Sequence, residues 1–350
     1  VRVSPNHPVL IDKYLLGKEL EVDAICDGER VFIPGIMEHV ERSGIHSGDS
    51  IAVYPAPSID RATKERILDY TERLATSLNI RGILNIQYLL FEGELHVIEV
   101  NPRSSRTVPF LSKVTGVPMV QLATRAALGH SLADMGYDGG LLPEMPHVAV
   151  KAPVFSFAKL ADLDTTLGPE MKSTGEVMGI DRDLPRALQK ALLAANLSPR
   201  PPGNILATIA DRDKEEAVPL LVRLSEMGYR LFATEGTAGA LSAAGCQVTP
   251  VRKASEGSPH VIDLIRSGQV DVVINCLTRG KIPERDGFRM RRAAAELNIP
   301  CLTSLDTARA VVDVMCEVHR EAPPGCLALQ DYLSRAGIAG PAAAASAADE

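Results

Sequence analysis

The strongest single guide to the fold of this chain is a change of pattern at the cluster Ser198-Pro-Arg-Pro-Pro-Gly203. Prolines and a glycine so close together do not continue a helix or a central strand, so the cluster predicts a boundary between domains. After it, short apolar runs alternate regularly with helical patterns. This alternation predicts a parallel sheet covered by helices on both faces, because parallel strands are joined by crossover connections.

The segment after the boundary has clear strand and helix signals. Its predicted strands are Ile205–Ile209, Arg230–Thr234, Gln247–Val251, Asp271–Leu277 and Cys301–Ser304. An apolar stripe at helical spacing predicts a helix over Glu215–Met227, which ends at Gly228. Asp306 is predicted to cap a further helix.

The segment before the boundary is less regular. Two predicted strands, Ile83–Phe91 and Leu95–Arg103, are joined by a Glu92-Gly93 turn. The other predicted strands are Leu10–Leu16, Leu20–Cys26 and Val31–Met37. Apolar residues at helical spacing predict helices over Thr63–Leu78, Val117–Leu128 and Leu184–Ala195.

Length and composition limit the class of protein. A chain of 350 residues, 45% of them hydrophobic, is expected to form two domains with real cores. A net charge of −7 and the lack of tryptophan argue against a nucleic-acid partner. No apolar run is long enough for a membrane span. Scattered cysteines without a CxxC pair predict a reduced, cytoplasmic protein. The chain opens at Val1 and enters an apolar strand, so we expect a piece of a longer protein.

The strand that ends in Asn101-Pro-Arg103 carries the clearest chemical signal. Glu99 and Asn101 are two residues apart and therefore share one face of the strand, while Gln87 lies in the middle of the preceding apolar strand. Carboxylate and amide oxygens suit Mg²⁺, whose other ligands are usually water and phosphate, and Arg103 is suited to bind phosphate. This pattern predicts ATP chemistry.

A plainer interpretation of this strand is an edge strand whose polar residues cap the turn before Pro102. It would have to hold a glutamate, an asparagine and two arginines, Arg103 and Arg106, at one strand end without a ligand. We therefore favour a ligand site.

Two further segments before the boundary have features of a nucleotide site. Glu19 begins a strand and could bind ribose hydroxyls, with backbone groups near Lys13 and Leu15 along an adenine edge. The loop Ser43-Gly-Ile-His-Ser-Gly-Asp-Ser50 places two glycines around His46, which allows backbone N–H groups to approach phosphate. Taken singly, these segments are better explained as a solvated glutamate and a polar surface turn, and their occurrence together with Gln87, Glu99, Asn101 and Arg103 is what favours a nucleotide site.

A phosphate site is also predicted after the boundary. The turn Ala233-Thr-Glu-Gly-Thr-Ala-Gly239 joins a strand to a helix start, where N–H groups and the helix dipole favour an anion. Thr234 and Thr237 add hydroxyls, while Lys253 follows the next predicted strand and Asn275 ends another. The turn alone would fit an ordinary helix N-cap, and Lys253 with Asn275 shifts the balance to a ligand site.

Several long motifs resemble one family. They are Gly35-Ile-Met-Glu-His-Val-Glu41, Gly44-Ile-His-Ser-Gly-Asp-Ser50, Ile98-Glu-Val-Asn-Pro-Arg103 with Thr-Val-Pro-Phe after the arginines, and Leu167-Gly-Pro-Glu-Met-Lys-Ser-Thr-Gly-Glu-Val-Met-Gly179. The chain resembles the second, carboxy-terminal half of the carbamoyl phosphate synthetase large subunit. From Asn204 onward it resembles the methylglyoxal-synthase-like domain that ends that subunit.

The resemblance implies an α/β fold in two parts. The first is the carboxy-terminal part of an ATP-grasp domain, an α+β unit with an antiparallel-rich sheet, and the second is a doubly wound parallel α/β domain. We expect the ATP-grasp part at 1–130, the remainder of the synthetic half and a linker at 131–199, the allosteric domain at 200–335 and a disordered tail at 336–350.

The resemblance also implies residue roles. Gln87, Glu99 and Asn101 would ligate two Mg²⁺ or Mn²⁺ ions with Glu99 bridging them, and Arg103 would bind the transferring phosphoryl group. The nucleotide would contact further residues: Lys13 and Leu15 at the adenine, Glu19 at the ribose, and Gly44, Ile45, His46 and Ser47 in the loop. Thr234, Thr237, Lys253 and Asn275 would bind a regulatory nucleotide, UMP or IMP.

The implied reaction is phosphorylation of carbamate by ATP, which gives carbamoyl phosphate for pyrimidine and arginine biosynthesis. Carbamate would come from bicarbonate and from ammonia released from glutamine. The implied partners are the remainder of the large subunit and the glutaminase small subunit. The chain lacks the first part of the ATP-grasp, with its basic phosphate-binding residue and glycine loop, so we expect it to hold about half of one active site.

The sequence departs from relatives at three informative places. The aspartate and histidine that serve methylglyoxal synthase as acid and base align near Pro259 and Glu284, so we expect a sensor domain without catalysis. Glu41 and Asp49 are candidates to bind ornithine, but a third glutamate found in some members is Ala152 here. The alternatives are another ATP-grasp carboxylate ligase and a stand-alone nucleotide-binding regulatory module.

Overall fold

A computed structural model gives the fold as two sheets with their helices. It describes residues 11, 13–159, 164–197, 203–276, 286–318 and 325–337. Within these residues, a mainly antiparallel sheet is formed by the first part of the chain and a parallel sheet by the second. The expected fold class is confirmed. No helix in these ranges is long and apolar enough to cross a membrane.

The first sheet is built from residues 18–181. Its strands are β1 (Lys18–Cys26), β2 (Val31–Ile33), β3 (Ile36–Arg42), β4 (Ala52–Tyr54), β5 (Gly82–Phe91), β6 (Glu94–Asn101), β7 (Gly140–Leu141), β8 (Val148–Val154) and β9 (Gly175–Asp181). The helices of this part are α1 (Arg61–Ser77), α2 (Thr107–Thr115), α3 (Met119–Ala127) and α4 (Leu184–Ala194).

The strand order of this sheet is β6-β5-β1-β3-β4-β8-β9, and neighbours along that path are antiparallel. β2 extends the sheet beside β1 and pairs in parallel with β7. β1 lies inside the sheet, and all of its residues after Lys18 are buried. Polar side chains on β1 are therefore held between other elements.

Helix α1 shows why this part folds as predicted. The Asp60 side chain accepts a hydrogen bond from the Thr63 N–H at 2.8 Å, which satisfies one of the free donors at the helix start. Ile67, Thr71 and Ala75, spaced by four residues, are buried on one stripe. The predicted helix over Thr63–Leu78 is confirmed.

The second sheet is fully parallel, in the order β12-β11-β10-β13-β14. Its strands are β10 (Asn204–Ile209), β11 (Arg230–Thr234), β12 (Val248–Val251), β13 (Val272–Cys276) and β14 (Cys301–Leu302). Its helices are α5 (Lys214–Glu226), α6 (Glu235–Ala243), α7 (Val261–Arg266), α8 (Asp286–Glu296), α9 (Leu305–Val318) and α10 (Leu329–Arg335).

The parallel sheet is covered on both faces. Along β10, Ile205 and Ala207 pack in one apolar cluster with residues of α5, α6 and α9, whereas Leu206 packs in another with residues of α7 and α8. Successive side chains of a strand point to opposite faces, so this division is that of a doubly wound sheet.

One apolar core joins the two parts of the chain. The cluster that contains β10 and α9 also contains Val53 of β4, Val150 of β8 and Leu188 of α4. Helix α10 then returns to the first part, where Tyr332 is buried in the cluster with α2 and α3. The two sheets are therefore packed as one body.

Several of the predicted strand boundaries were wrong. The described residues of the predicted strand Leu10–Leu16 contain no strand, because the carbonyls of Leu15 and Gly17 accept hydrogen bonds from Ser43 instead of joining a ladder. The predicted strand Val31–Met37 is two strands, β2 and β3, since Pro34 between them has no N–H to donate.

Two helix predictions also need correction. The predicted helix Val117–Leu128 is preceded by a second helix, α2, which ends at Gly116 with φ 74°. Ser304, and not Asp306, caps α9, since its hydroxyl accepts from the Asp306 N–H at 3.2 Å. The predicted boundary at 198–203 lies outside the described residues except for Gly203, and so does the predicted tail except for Ala336 and Gly337.

Candidate functional site

The predicted metal ligands come together on the hairpin of β5 and β6. Gln87 and Glu99 are cross-strand partners in that ladder. The Asn101 Nδ2 donates to Glu99 Oε1 at 2.8 Å, and the Gln87 Nε2 donates to the Ser47 hydroxyl at 3.0 Å. Because both amides donate through nitrogen, their oxygens remain for another partner. The hairpin thus brings one carboxylate and two amide oxygens to one place.

A β-bulge lies beside this group. Tyr88 is partnered by Val97, so Ile98 is an extra residue between Val97 and Glu99. Bulges often occur at sheet edges and redirect side chains there. β6 is the edge strand of the sheet, and Glu99 is exposed. The carboxylate is therefore accessible to a ligand from solvent.

This donor set fits Mg²⁺ better than a transition metal. All three candidate atoms are oxygens, and Mg²⁺ prefers oxygen ligands and completes its shell with water or phosphate. Across the described ranges, no group of three or more His, Cys, Asp and Glu side chains could hold a metal by itself. The predicted site depends on amide oxygens and would need oxygens from its substrate.

The predicted nucleotide loop, residues 43–50, is hydrogen-bonded to the segment that precedes β1 and to Glu19. The Gly44 N–H donates to Glu19 Oε1 at 3.2 Å, and the Tyr14 hydroxyl donates to the Ser43 carbonyl at 2.6 Å. The Ser43 hydroxyl donates to the Leu15 carbonyl at 2.5 Å. These bonds bring Leu15, Glu19 and Gly44 together, next to the Ser47 that holds Gln87.

His46 shapes the same loop from within. Its ring Nδ1 accepts from the Gly48 N–H at 3.0 Å. Its backbone N–H donates to the Gly168 carbonyl at 2.8 Å. Ile45 follows Gly44 in this loop, and Lys13 is exposed in the segment before β1. All seven residues predicted to contact the nucleotide therefore lie in two segments that are hydrogen-bonded to each other.

The two predicted arginines occupy different surroundings. Arg103 is exposed, and its Nη1 donates to the Ser104 carbonyl at 3.1 Å. Arg106 is half-buried, and its Nη1 donates to the Ser173 hydroxyl at 2.8 Å. Arg103 is thus the more accessible to an incoming phosphate.

A buried ionic network that the sequence interpretation missed lies beneath these residues. His39 of β3 lies between two glutamates of β1: its Nδ1 is 3.3 Å from Glu19 Oε2 and its Nε2 is 3.3 Å from Glu21 Oε2. All three side chains are buried. The imidazole therefore links the predicted ribose ligand to the interior of the sheet.

The network continues towards the hairpin of β5 and β6. The Asn85 Nδ2 donates to Glu21 Oε1 at 2.9 Å and to Asp23 Oδ1 at 3.1 Å. Asp23 also accepts from the hydroxyls of Ser105 and Thr107, of which the Ser105 bond is 2.8 Å long. Acidic residues at every second position of β1 are the signal that could have revealed this network.

Burial and the neighbouring charges set the protonation of this network. Burial opposes the charged form of Glu21, but the hydrogen bond from His39 and the charge of Lys151 lower its pKa to about 2. Burial and the charge of Glu21 raise the pKa of Asp23 to about 7. Burial opposes the imidazolium of His39, but its bonds to the glutamates raise its pKa to about 9. Glu21 and His39 therefore form an ion pair at neutral pH.

The His39 ion pair predicts a pH dependence of stability. The folded-state pKa lies above the value of 6.5 for an unfolded histidine, so its stabilisation is complete below pH 6.5 and is lost as the pH rises towards 9. We expect this loss to be on the order of 3 kcal/mol. Urea unfolding between pH 6 and 9 should show it, and a His39→Gln variant should show a flatter profile. A His96→Gln variant, changed at an exposed histidine, should behave as wild type; equal profiles for both variants would contradict the prediction.

The two candidate ornithine ligands share a cavity. Glu41, Asp49 and Thr307 line a space of about 260 Å³ between the two parts of the chain. The Glu41 carboxylate accepts from the Thr307 hydroxyl and the Ile51 N–H, each at 2.8 Å, and burial raises its pKa. Ala152 is buried and offers no third carboxylate. Both acidic groups are already hydrogen-bonded within the protein.

The four predicted effector residues line one pocket at the carboxyl ends of the parallel strands. Its volume is about 500 Å³. Its polar lining residues are Thr208, Asp211, Lys214, Thr234, Thr237, Lys253, Ser255, Asn275 and Asp286. This is the edge at which open parallel sheets usually bind ligands.

The predicted effector residues differ in what they offer a ligand. Thr234 precedes α6 and makes no capping hydrogen bond with its side chain, so the helix does not use its hydroxyl. Thr237 is buried, and its hydroxyl accepts from the Ile209 N–H at 3.2 Å. Asn275 donates to the Thr208 hydroxyl at 2.5 Å and accepts from Arg291. Thr234 and Lys253 are the members with side chains free of such internal bonds in the described contacts.

Lys214 adds a cation that the sequence interpretation did not name. It begins α5, which follows β10 after the short turn Asp211–Asp213, and its Nζ is 2.6 Å from Asp211 Oδ1. The same rule that selected Lys253 and Asn275 would have selected it. Pro259 is described, whereas Glu284 lies outside the described residues.

Comparison with known proteins agrees with this arrangement. Residues 2–135 match the family model of the carbamoyl-phosphate synthase L chain, ATP binding domain, and residues 216–303 match that of the MGS-like domain. Both models were expected, in this order.

Several solved structures show a weak similarity to this chain. The biotin carboxylase domain of a single-chain bacterial carboxylase is 21% identical with a TM-score of 0.43, and the alignment covers 53% of this chain and 47% of that one. K. lactis urea amidolyase is 17% identical with a TM-score of 0.40, covering 51% and 12%. A biotin carboxylase–β,γ-ATP complex from Campylobacter jejuni is 16% identical with a TM-score of 0.39, covering 52% and 46%.

This chain spans less than half of the length of each of those structures. The two family models describe the domains of this chain more specifically than those structures do. An ATP-binding domain of the L-chain type followed by an MGS-like domain is the domain order expected for the carboxy-terminal portion of the carbamoyl phosphate synthetase large subunit, and the two matches agree with that expectation.

Proposed function

We propose that this chain supplies one wall of the active site that phosphorylates carbamate with ATP to give carbamoyl phosphate. In this proposal Gln87, Glu99 and Asn101 hold Mg²⁺ or Mn²⁺, and the segments at Lys13–Glu19 and Gly44–Ser47 hold the nucleotide. The observation that carries it is the bond between Gln87 and Ser47, which joins the metal hairpin directly to the nucleotide loop.

This phosphoryl transfer requires little covalent catalysis from the protein. Phosphoryl transfer needs the carbamate oxygen in line with the γ-phosphoryl group and needs the developing charge neutralised. The metal ions would supply part of that charge when bound. Arg103, exposed at the end of β6, would fork onto phosphoryl oxygens, and Glu19 would orient the ribose through hydroxyl bonds.

The buried network would keep this wall in place. His39 is bonded to Glu19 and Glu21, and Asn85 links Glu21 to Asp23 below the hairpin. Buried charges with several partners have few alternative arrangements, so they fix the geometry of the groups above them. These residues would act by positioning Glu19 and the hairpin, without contacting the reacting atoms.

The complete enzyme would need more than this chain. Carbamate would arrive from bicarbonate and glutamine-derived ammonia, made by the remainder of the large subunit and the glutaminase small subunit. A cytoplasmic location and a role in pyrimidine and arginine biosynthesis belong to the same proposal. Co-purification of this chain with those two partners would support it, and carbamoyl phosphate formation by the chain without either partner would count against it.

We further propose that the pocket in the parallel sheet binds a nucleotide monophosphate, UMP or IMP. Lys214 and Lys253 supply positive charge, and the N–H groups at the start of α6 favour an anion. A pocket of about 500 Å³ is large enough for a ligand of this size. The expected role is regulatory.

Replacing Lys253 with Ala should weaken nucleotide binding by about tenfold or more, since a charge-assisted bond to phosphate contributes roughly 1.5–3 kcal/mol. Isothermal titration of the whole chain with UMP and with IMP would measure it. Lys159→Ala removes an exposed lysine outside the pocket and serves as the control. Unchanged binding in Lys253→Ala would remove Lys253 from the site, and absence of binding in wild type would remove the effector proposal.

A stand-alone nucleotide-binding module is the second candidate function. The effector pocket would serve either function, so binding of UMP or IMP does not separate them. Turnover does: the regulatory module predicts no ATP hydrolysis or carbamoyl phosphate in any assembly that contains this chain. Another ATP-grasp carboxylate ligase would be indicated by turnover with a carboxylate other than carbamate.

A further inference from the structure

The effector pocket and the nucleotide loop are joined by a buried chain of contacts. It begins at Asn275, which lines the pocket and whose Oδ1 accepts from Arg291 Nη1 at 2.7 Å. Arg291 lies on α8 and is 3% exposed. Because Asn275 is shared between the pocket and Arg291, a ligand that bonds to its amide would compete with the internal bonds.

Arg291 carries the contact across to the first part of the chain. Its Nε and Nη2 each donate to a different oxygen of Asp164, both at 2.9 Å. Burial acts to raise the pKa of Asp164, but the bonds and charge of Arg291 lower it, so the pair is ionic. A bidentate pair of this kind fixes the orientation as well as the distance of its partners.

Asp164 in turn anchors the segment 164–173. Its carboxylate accepts from the Thr166 N–H at 3.1 Å, and its carbonyl accepts from Lys172 Nζ at 2.8 Å. Thr166 and Lys172 are both buried. The segment is therefore folded back on Asp164 and can be expected to move with it.

The far end of this segment holds the nucleotide loop. The backbone N–H groups of Lys172 and Ser173 both donate to the fully buried carboxylate of Asp49. The shortest nitrogen–oxygen distance is 2.8 Å for each residue. The Gly168 carbonyl accepts from the His46 N–H at 2.8 Å. Loop residues on either side of Ser47 are thus bonded to the segment, and Ser47 itself holds Gln87.

We propose that Arg291 and Asp164 couple the effector pocket to the nucleotide loop, through the segment 164–173. This rests on the proposed functions of the two sites. Occupancy of the pocket changes the bonds of Asn275, Arg291 shifts its hold on Asp164, and the segment changes the placement of residues 46–49. A contiguous hydrogen-bonded path gives such coupling a physical carrier, and the coupling is measurable as a change at one site when the other is altered.

Hydrogen exchange on the whole 350-residue chain tests the path without any ligand. The amides to follow are those of His46, Lys172 and Ser173. We expect Asn275→Ala to speed their exchange several-fold, and to add nothing in an Asp164→Asn background. Unchanged exchange in Asn275→Ala, or fully additive effects in the double variant, would overturn the proposal.

Asp313→Asn is a matched control for the charge removal. Asp313 makes an exposed ion pair with Arg223 at 2.7 Å, within the second part of the chain and away from the path. It should leave the exchange of the loop amides as in wild type. Loss of loop protection in this variant equal to that in Asp164→Asn would show a general loss of stability, and would overturn the specific role of the path.

A second measurement needs no substitution in the pocket. Saturation of the wild-type chain with UMP or IMP should change exchange at His46, while Asp164→Asn, at a nucleotide concentration that also saturates it, should show no such change. A full response in Asp164→Asn would overturn the proposal. Failure of both nucleotides to bind would refute the effector proposal alone, because the ligand-free experiment still decides the path. Neither readout depends on carbamate turnover.

Discussion

The Glu99→Gln enzyme, assembled with the rest of the large subunit and its glutaminase, should lose carbamoyl phosphate formation by about a thousandfold or more. Glu99 is the only carboxylate among the three proposed metal ligands, so the change removes the negative charge that would hold two cations beside the transferring phosphoryl group. Removing one preorganised electrostatic contact commonly costs about 10²–10³ in rate, and loss of a bridging metal ligand should cost at least that. The rate is measured with saturating Mg²⁺-ATP.

Glu94→Gln is the matched control for this experiment. Glu94 begins the same strand, is exposed and is the cross-strand partner of Phe91, at the opposite end of the hairpin from Gln87. It should retain wild-type activity. The circular dichroism of both variants should match wild type, since Glu99 is exposed and makes no buried contact. Wild-type activity in a well-folded Glu99→Gln enzyme would refute the metal assignment.

Gly179→Ala should destabilise the chain strongly. A Cβ at Gly179 of β9 would lie 2.5 Å from the Ala191 nitrogen and closer still to the Ala187 carbonyl oxygen, both in the backbone of α4. Backbone atoms of a helix cannot rotate away as a side chain can, so the strand and the helix must separate. Overpacking of cores typically costs about 1–3 kcal/mol, and we expect this case to exceed that range. Urea unfolding monitored by circular dichroism would measure the loss.

Gly175→Ala tests whether the effect comes from that contact. Gly175 begins the same strand, and a Cβ there would meet only the Val154 Cβ at 3.9 Å, an ordinary contact. Its free energy of unfolding should stay within about 1 kcal/mol of wild type. If Gly179→Ala were as stable as Gly175→Ala, the packing of α4 on β9 described above would be wrong.

Local patterns predicted the parts of the fold that local interactions decide. The stripe of α5 and the capped start of α1 are formed by residues close in sequence, and both helices lie where they were expected. β8 and β9 were not predicted, although they complete the first sheet. β8 contains Lys151, which is buried and whose Nζ donates to the Ser47 carbonyl at 2.9 Å. A lysine inside a strand hides that strand from a search for apolar runs.

The candidate site was predicted in the same uneven way. Gln87 and Glu99 could be placed side by side from the sequence because one short turn fixes the register of their hairpin. The buried triad of Glu19, His39 and Glu21 was accessible in principle, since acidic residues alternate along β1. The pair of Asp164 and Arg291 was not, because 127 residues separate the two partners and no local pattern reports on such a contact.

The apolar cluster shared by β8, α4, β10 and α9 has a consequence for how this protein can be re-engineered. A regulatory unit grafted from a relative would bring its own version of α9 and would have to match the side chains of Val150 and Leu188 on the recipient. Helix α10 would also have to match the surface that buries Tyr332. A chimaera cut at the proline cluster should therefore precipitate, whereas one that carries the donor's α4 and its contacts should remain soluble and responsive to the donor's effector.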